Sequence, residues 1–204
     1  MKKTIVILFT FALVVISCNQ PTRNEVKTFD KGVIINGVRW ATRNVDAPGT
    51  FAEFPESPGM LFQWNRRKGW NAVDEEMWGW NWNNLSERTE WYAENDPCPE
   101  GWRVSTREEL QSLVDAGSEW TTQNGVNGRR FGTYPHQLFL PAAGSRNIGG
   151  CLQDVGVSGD YWSSSAKFDC QALALSFDRN WAGAGKRNVR NKANGFSIRC
   201  VAKK

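Results

Sequence analysis

Cysteine, carboxylate and tryptophan are the side chains of this 204-residue sequence whose types and spacing could do chemistry. Histidine is nearly absent. The one present, His136, follows Pro135 in a stretch that reads as loop, so neither a Ser-His-Asp triad nor a histidine-rich metal site is expected. Downstream of Cys18 stand four more cysteines, Cys98, Cys151, Cys170 and Cys200. In an exported protein such an even set reads as disulfides, with three possible connectivities. We favour Cys98–Cys200 with Cys151–Cys170. The first closes a loop of ~100 residues, worth on the order of 4–5 kcal/mol in chain entropy. Two bridges would leave no reactive thiol. Among the acids, Glu108 and Glu109 lie three residues after Ser105 and Thr106, where helix capping accounts for them better than acid–base catalysis. Asp154, Asp160, Asp169 and Asp178 are scattered through the second half, and a glycosidase using two of them is a minor alternative. Trp78, Trp80 and Trp82 alternate with Gly79 and Asn81. Ring faces that stack on sugars are one reading of them; a loop pinned to the core by indoles is the favoured one. The expectation is a binding protein, not an enzyme, without a cofactor or a metal.

The elements that would position these residues begin with a leader. Lys2 and Lys3 precede an apolar run over 5–16 broken only by Thr10, too short to span a bilayer comfortably. It ends in Val15-Ile16-Ser17-Cys18, which resembles the bacterial lipobox. Residues 1–17 are therefore expected to be a lipoprotein signal peptide, and Cys18 the lipidated residue that anchors the chain to a membrane. Residues 18–30 would form a polar tether, and 31–204 one domain. Loss of Lys2 and Lys3 lowers the formal charge from +4 to +2, which does not point to nucleic acid.

Within the domain, Asn36-Gly37 between Val33-Ile34-Ile35 and Val38-Arg39-Trp40 predicts a β-hairpin. A helix is predicted after Ser105 or Thr106, with Leu110, Leu113 and Val114 as its apolar stripe and Gly117 as its stop. The rest reads as short strands with glycine turns: around Leu138-Phe139-Leu140, at Tyr161-Trp162, over 172–177, and as a closing run over 196–201. In the 172–177 strand, Leu173, Leu175 and Phe177 would face the core, leaving Ala174 and Ser176 outward. The fold class is α+β, with antiparallel strands.

Four stretches, taken in order, resemble the motifs of one family, the Fibrobacter succinogenes major paralogous domain. They are INGVRWATRNV at 35–45, DPCPEGWRV at 96–104, YWSSS at 161–165 and GFSIRCV at 195–201. The resemblance covers about 32–202. It implies a C-type-lectin-like fold, with a small twisted antiparallel sheet, one or two helices and long loops. It also supports the Cys98–Cys200 pairing, since both residues fall in its motifs; Cys151 and Cys170 lie outside them. Its members are common as lipoproteins of gut Bacteroidetes, which agrees with Cys18 and implies the outer membrane, with the cell surface favoured. No catalytic residues come with it.

From LPAAG at 140–144 onward the chain also resembles lectin-fold proteins diversified by retroelements. In those, adenines of asparagine codons between a Trp-Ser-Ser and a Gly-Phe-Ser motif are mutagenised. Such codons cannot become Lys, Gln or Trp, which sets aside Lys167, Gln171, Trp181, Lys186 and Lys192 as varied positions. Phe168, Asp169, Ala174, Ser176, Asp178, Arg179, Arg187, Asn188, Val189 and Asn191 remain. These residues other than Val189, with Trp181 as an aromatic anchor, are the expected ligand-binding set for a protein or glycan. The alternatives are a structural or pilus-associated subunit, or an enzyme of the carbohydrate-active or formylglycine-generating kind.

Overall fold

The computed structural model describes residues 29–72, 78–84, 89–186 and 188–204. The expected signal peptide, Cys18, most of the tether and Arg187 lie outside the described residues.

Asn36 and Gly37 both take positive φ, 48° and 78°, as a tight two-residue turn requires. They join β1 (Val33–Ile35) to β2 (Val38–Trp40), with Ile35 opposite Val38. Next come β3 (Met60–Gln63), β4 (Gly69–Asn71), a 3-10 turn at Ala93–Asn95 and β5 (Trp102–Val104). The predicted helix follows as α1 (Arg107–Asp115), burying Leu110 and Leu113. Its capping box forms: Thr106 Oγ1 accepts from Glu109 N at 3.2 Å, and the Glu109 carboxylate accepts from Thr106 N at 2.8 Å. Arg103 adds a two-point ion pair to Glu109, at 2.6 and 2.9 Å. Burial pushes the Glu109 carboxyl up, but the bonds from Arg103 and Thr106 outweigh it and hold it below the ordinary range. Gly117 (φ 79°) closes the helix.

A meander follows: β6 (Ser118–Gln123), β7 (Val126–Thr133) and β8 (His136–Pro141). His136 is the first residue of β8, opposite Thr133, and not part of a loop as expected. The second half contains β9 (Ser145–Arg146), β10 (Leu152–Gln153), β11 (Gly159–Phe168), β12 (Gln171–Phe177), β13 (Ala182–Gly183), β14 (Val189–Asn191), β15 (Gly195–Phe196) and β16 (Cys200–Ala202).

These strands make four sheets, in the orders β1-β2-β16-β5, β10-β9-β15-β3-β4, β11-β12-β13 with β14 also on β12, and β6-β7-β8. Every ladder between named strands is antiparallel. The protein is thus a β-rich α+β fold with one short α-helix among the described residues, its strands spread over several small sheets.

The closing run 196–201 is split between two of these sheets. Residues 197–199 cross from one to the other, and Arg199 holds the crossing. Its guanidinium is fully buried and donates to Asn44 Oδ1 at 2.7 and 3.0 Å and to the Ala41 carbonyl at 3.1 Å. Burial lowers the Arg199 pKa to about 10 and raises that of its neighbour Tyr161 to about 12. Cys98 and Cys200 form the expected disulfide, 102 residues apart in sequence.

Two cores result. One gathers Trp40, Leu110, Leu113, Phe131, Leu138, Leu140, Tyr161, Leu175 and Phe177. The other gathers Phe62, Trp64, the disulfide, Trp102, Trp162, Ala172, Ala174, Phe196 and Ile198. The β11–β12 ribbon supplies side chains to both.

Candidate binding site on the β11–β14 ribbon

In the ribbon, Tyr161 faces Leu175 and Trp162 faces Ala174 across an antiparallel ladder. Successive side chains of a strand point to opposite faces, so odd and even positions of β12 enter different surroundings. The odd face carries Leu175 and Phe177 into the first core, where Phe177 stacks on Tyr161 at 6.0 Å between ring centres. The even face was expected to meet solvent. It meets the second core instead: Ala174 is 1% exposed, below Trp162, whose ring stacks on Phe196 at 4.2 Å. The Trp162 indole N–H donates to the Phe62 carbonyl at 2.7 Å, which ties the ribbon to β3.

Ser176 is buried too, and the expectation of an outward Ser176 fails for a second reason. Its hydroxyl donates to the Asp160 carboxylate in a short bond and accepts from Arg190 at 3.1 Å. Desolvation raises the Asp160 pKa, against the Ser176 bond and the charge of Arg190, 3.8 Å away. Asn188 is likewise buried and already occupied. Its amide donates to the carbonyls of Ala174 (2.8 Å) and Gly183 (2.9 Å), clamping β12 to the following segment. Ala174, Ser176 and Asn188 are therefore structural in this fold and offer no surface to a ligand.

The turns at the two ends of β12 present the rest. At one end the β11–β12 turn exposes Phe168 (57%) and Asp169, with the Lys167 ammonium 5.3 Å from the Phe168 ring centre. Asn191 sits opposite Gln171 and is half-buried, its Oδ1 accepting from Ala193 N at 2.9 Å. At the other end the β12–β13 turn exposes Arg179 and Trp181 (50%). Asp178 shapes that turn, its Oδ1 accepting from the backbone N–H groups of Asn180 (2.7 Å) and Trp181 (2.9 Å). Arg129 of β7 donates to the Asp178 carbonyl at 2.9 Å. The seven residues of β12 put these turns about 20 Å apart. Arg187, the remaining member of the expected set, lies outside the described residues.

The expected Cys151–Cys170 bridge is absent, and both residues are free thiols. They belong to turns of different sheets. Cys151 follows the β9 turn and donates its N–H to Asn147 Oδ1 at 3.1 Å, while the Cys170 carbonyl accepts from Lys192 N at 2.9 Å. Lys192 itself is buried, its ammonium 4.3 Å from the Trp64 ring centre, and burial lowers its pKa.

Two features went unforeseen. One is a buried polar network around Asp30, which accepts from Gly32 N and Thr42 N at 2.9 Å each and pairs with Arg43 at 3.4 Å. It fastens the start of the domain, and a lone aspartate beside Gly32 carries no sequence signal of that role. The other is an open depression of about 350 Å³ beside α1 and β7, lined by Gly117, Glu119, Arg130, Tyr134 and Gln137. Among the described residues no three His, Cys, Asp or Glu side chains are grouped to hold a metal, and no helix is long and apolar enough to cross a membrane. Comparison with protein-family models, curated proteins and solved structures finds no match to this chain.

Proposed function

We propose that this protein is an exported lipoprotein, anchored through Cys18, whose domain binds a protein or glycan ligand at the cell surface with its C-terminal turns. The observation that carries the reading is the contrast along β12: a strand buried on both faces ends in turns that expose Phe168 and Asp169 on one side, Arg179 and Trp181 on the other. Exposed aromatics and charges on turns of a rigid ribbon are the usual layout of a recognition surface. We further propose the Fibrobacter succinogenes major paralogous domain as its family and a C-type-lectin-like fold. The Cys98–Cys200 bridge, which joins two of the motif stretches, supports this, as do the Asn36-Gly37 hairpin and the capped helix after the DPCPEGWRV stretch.

If the segment is diversified by a retroelement, variation fits Phe168, Asp169, Arg179 and Asn191. It does not fit Ala174, packed in the second core, or Ser176 and Asn188, whose side chains hold the ribbon together.

The test is a glycan array and a host-protein pull-down with the full chain beside Phe168→Ala/Arg179→Ala/Trp181→Ala. The triple variant is expected to lose the ligands that the parent captures; equal capture by both would move the site elsewhere. For the anchor, Cys18→Ala should leave the membrane fraction, and its retention there would overturn lipidation.

A further inference from the structure

A second set of exposed aromatics lies on the loop 78–84. This loop joins no strand, yet the core grips it at three points. Trp80 is buried, packs edge-on against Trp70 at 4.8 Å, and donates its indole N–H to the Ile148 carbonyl at 2.8 Å. Its ring also fills the space over Gly195, where an added Cβ would come within 2.8 Å of it. Buried Gln63 of β3 holds the Asn81 backbone from both sides, donating to its carbonyl at 2.7 Å and accepting from its N–H at 3.1 Å. Asn84, also buried, donates to the carbonyls of Trp64 and Lys192 at 2.8 Å each.

Beside these grips, Trp78 and Trp82 remain 80% and 63% exposed. Indole is the largest apolar side chain, and two left mostly in water on a loop already fixed by other residues add little to the packing of the described residues. Their surroundings describe the partner. Residues 78–84 carry no charge, and the sequence just before them is acidic at Asp74, Glu75 and Glu76, which disfavours an anionic polymer. The Arg66 guanidinium that reaches the loop donates to Asn84 Oδ1 at 3.0 Å, and the exposed amide of Asn83 can donate and accept hydrogen bonds. The nearby Lys68 ammonium is engaged with the Trp78 carbonyl in a short bond. Gly149 lies against the edge of the Trp82 ring, where an added Cβ would stand 3.5 Å from the ring and 3.1 Å from Asn147 Oδ1. A protein interface prefers one contiguous apolar patch at its centre. Here the two rings are separated by a third that is buried, and amides are interleaved with them.

We propose that Trp78 and Trp82 form a binding platform for a neutral polysaccharide, each indole stacking on the C–H face of a sugar ring. The grips at 80, 81 and 84 hold the loop before binding, so little conformational freedom is lost when the ligand arrives. This site uses other residues than the turns of β12 and stands whether or not those turns bind anything.

Affinity electrophoresis of the full chain through gels containing mixed-linkage β-glucan, galactomannan or arabinoxylan tests it. Retardation by at least one of them is expected. Trp78→Ala/Trp82→Ala should weaken it on the order of tenfold per ring, and Trp78→Phe/Trp82→Phe should keep most of it. An unchanged melting temperature of the alanine variant would show that the loss is one of binding. The Phe168→Ala/Arg179→Ala/Trp181→Ala variant should migrate as the parent does, and its loss of retardation would overturn the assignment to this loop. Retardation by none of the three polymers, or full retardation of the alanine variant, would each overturn the proposal. So would capture of a protein partner through these two rings without any retardation by polysaccharide.

Discussion

Strand β12 and the loop 78–84 both alternate large with small side chains, and their burial differs. Along β12 every position from Ala172 to Phe177 is buried. Along 78–82 the core takes Trp80, and the tryptophans on either side of it stand in solvent. The strand has ladders on both edges and a core on each face, so no position is free to point outward. The loop has the core beneath it, reached by one ring, by the bond from Gln63 to the Asn81 carbonyl and by the Asn84 amide on the Trp64 carbonyl. In this molecule, surface available for recognition lies where a segment is held by few, strong contacts and not where a strand pattern suggests an open face.

The sharpest way to break this comparison is Ala174→Glu. A carboxylate placed against Trp162 is expected to cost at least about 4 kcal/mol, read as the shift of a urea denaturation midpoint. A change within about 0.5 kcal/mol would return the even face of β12 to solvent. Asn188→Ala comes next. Removing an amide that serves two buried carbonyls should cost on the order of 2–3 kcal/mol in the same measurement, with the β12–β13 turn losing hydrogen-exchange protection first.

A smaller effect concerns Asp160, beneath Ser176. Its folded pKa lies above its unfolded one because burial disfavours the charged form. The folded state therefore holds this proton more tightly, and stability falls as pH rises from the ordinary aspartate value through the folded one. Asp160→Asn should flatten that part of the stability-versus-pH curve, and an unchanged slope there would show that Asp160 is hydrated. The smallest expected effect is on the loop. Trp78→Ala and Trp82→Ala should each stay within about 0.5 kcal/mol of the parent in stability, and a loss of 2 kcal/mol from either would show that it packs against the fold.

Much of the local structure was legible along the chain. Asn36-Gly37 determined a hairpin because its turn needs two residues that tolerate positive φ. Thr106 and Glu109 determined a helix start because the side chain of each accepts from the backbone N–H of the other within one turn. Phe168, Asp169, Arg179 and Trp181, chosen as candidate ligand contacts, are exposed. The same reading failed for Ala174, Ser176 and Asn188, and for the bridge between Cys151 and Cys170.

The division has a physical reason. Caps and tight turns are closed by atoms a few residues apart, so the sequence by itself determined them, together with the apolar run that ends at Cys18 and the four cysteines that follow it. Which face of β12 is covered, which tryptophan of the 78–82 series is buried, and which cysteines meet depend on groups such as Phe62, Phe196, Gln63 and Gly195, brought close from across the chain. Only the tertiary structure decided those. It placed a second core over the even face of the ribbon, left Trp78 and Trp82 in water, and joined Cys98 to Cys200 while keeping Cys151 and Cys170 in the turns of separate sheets.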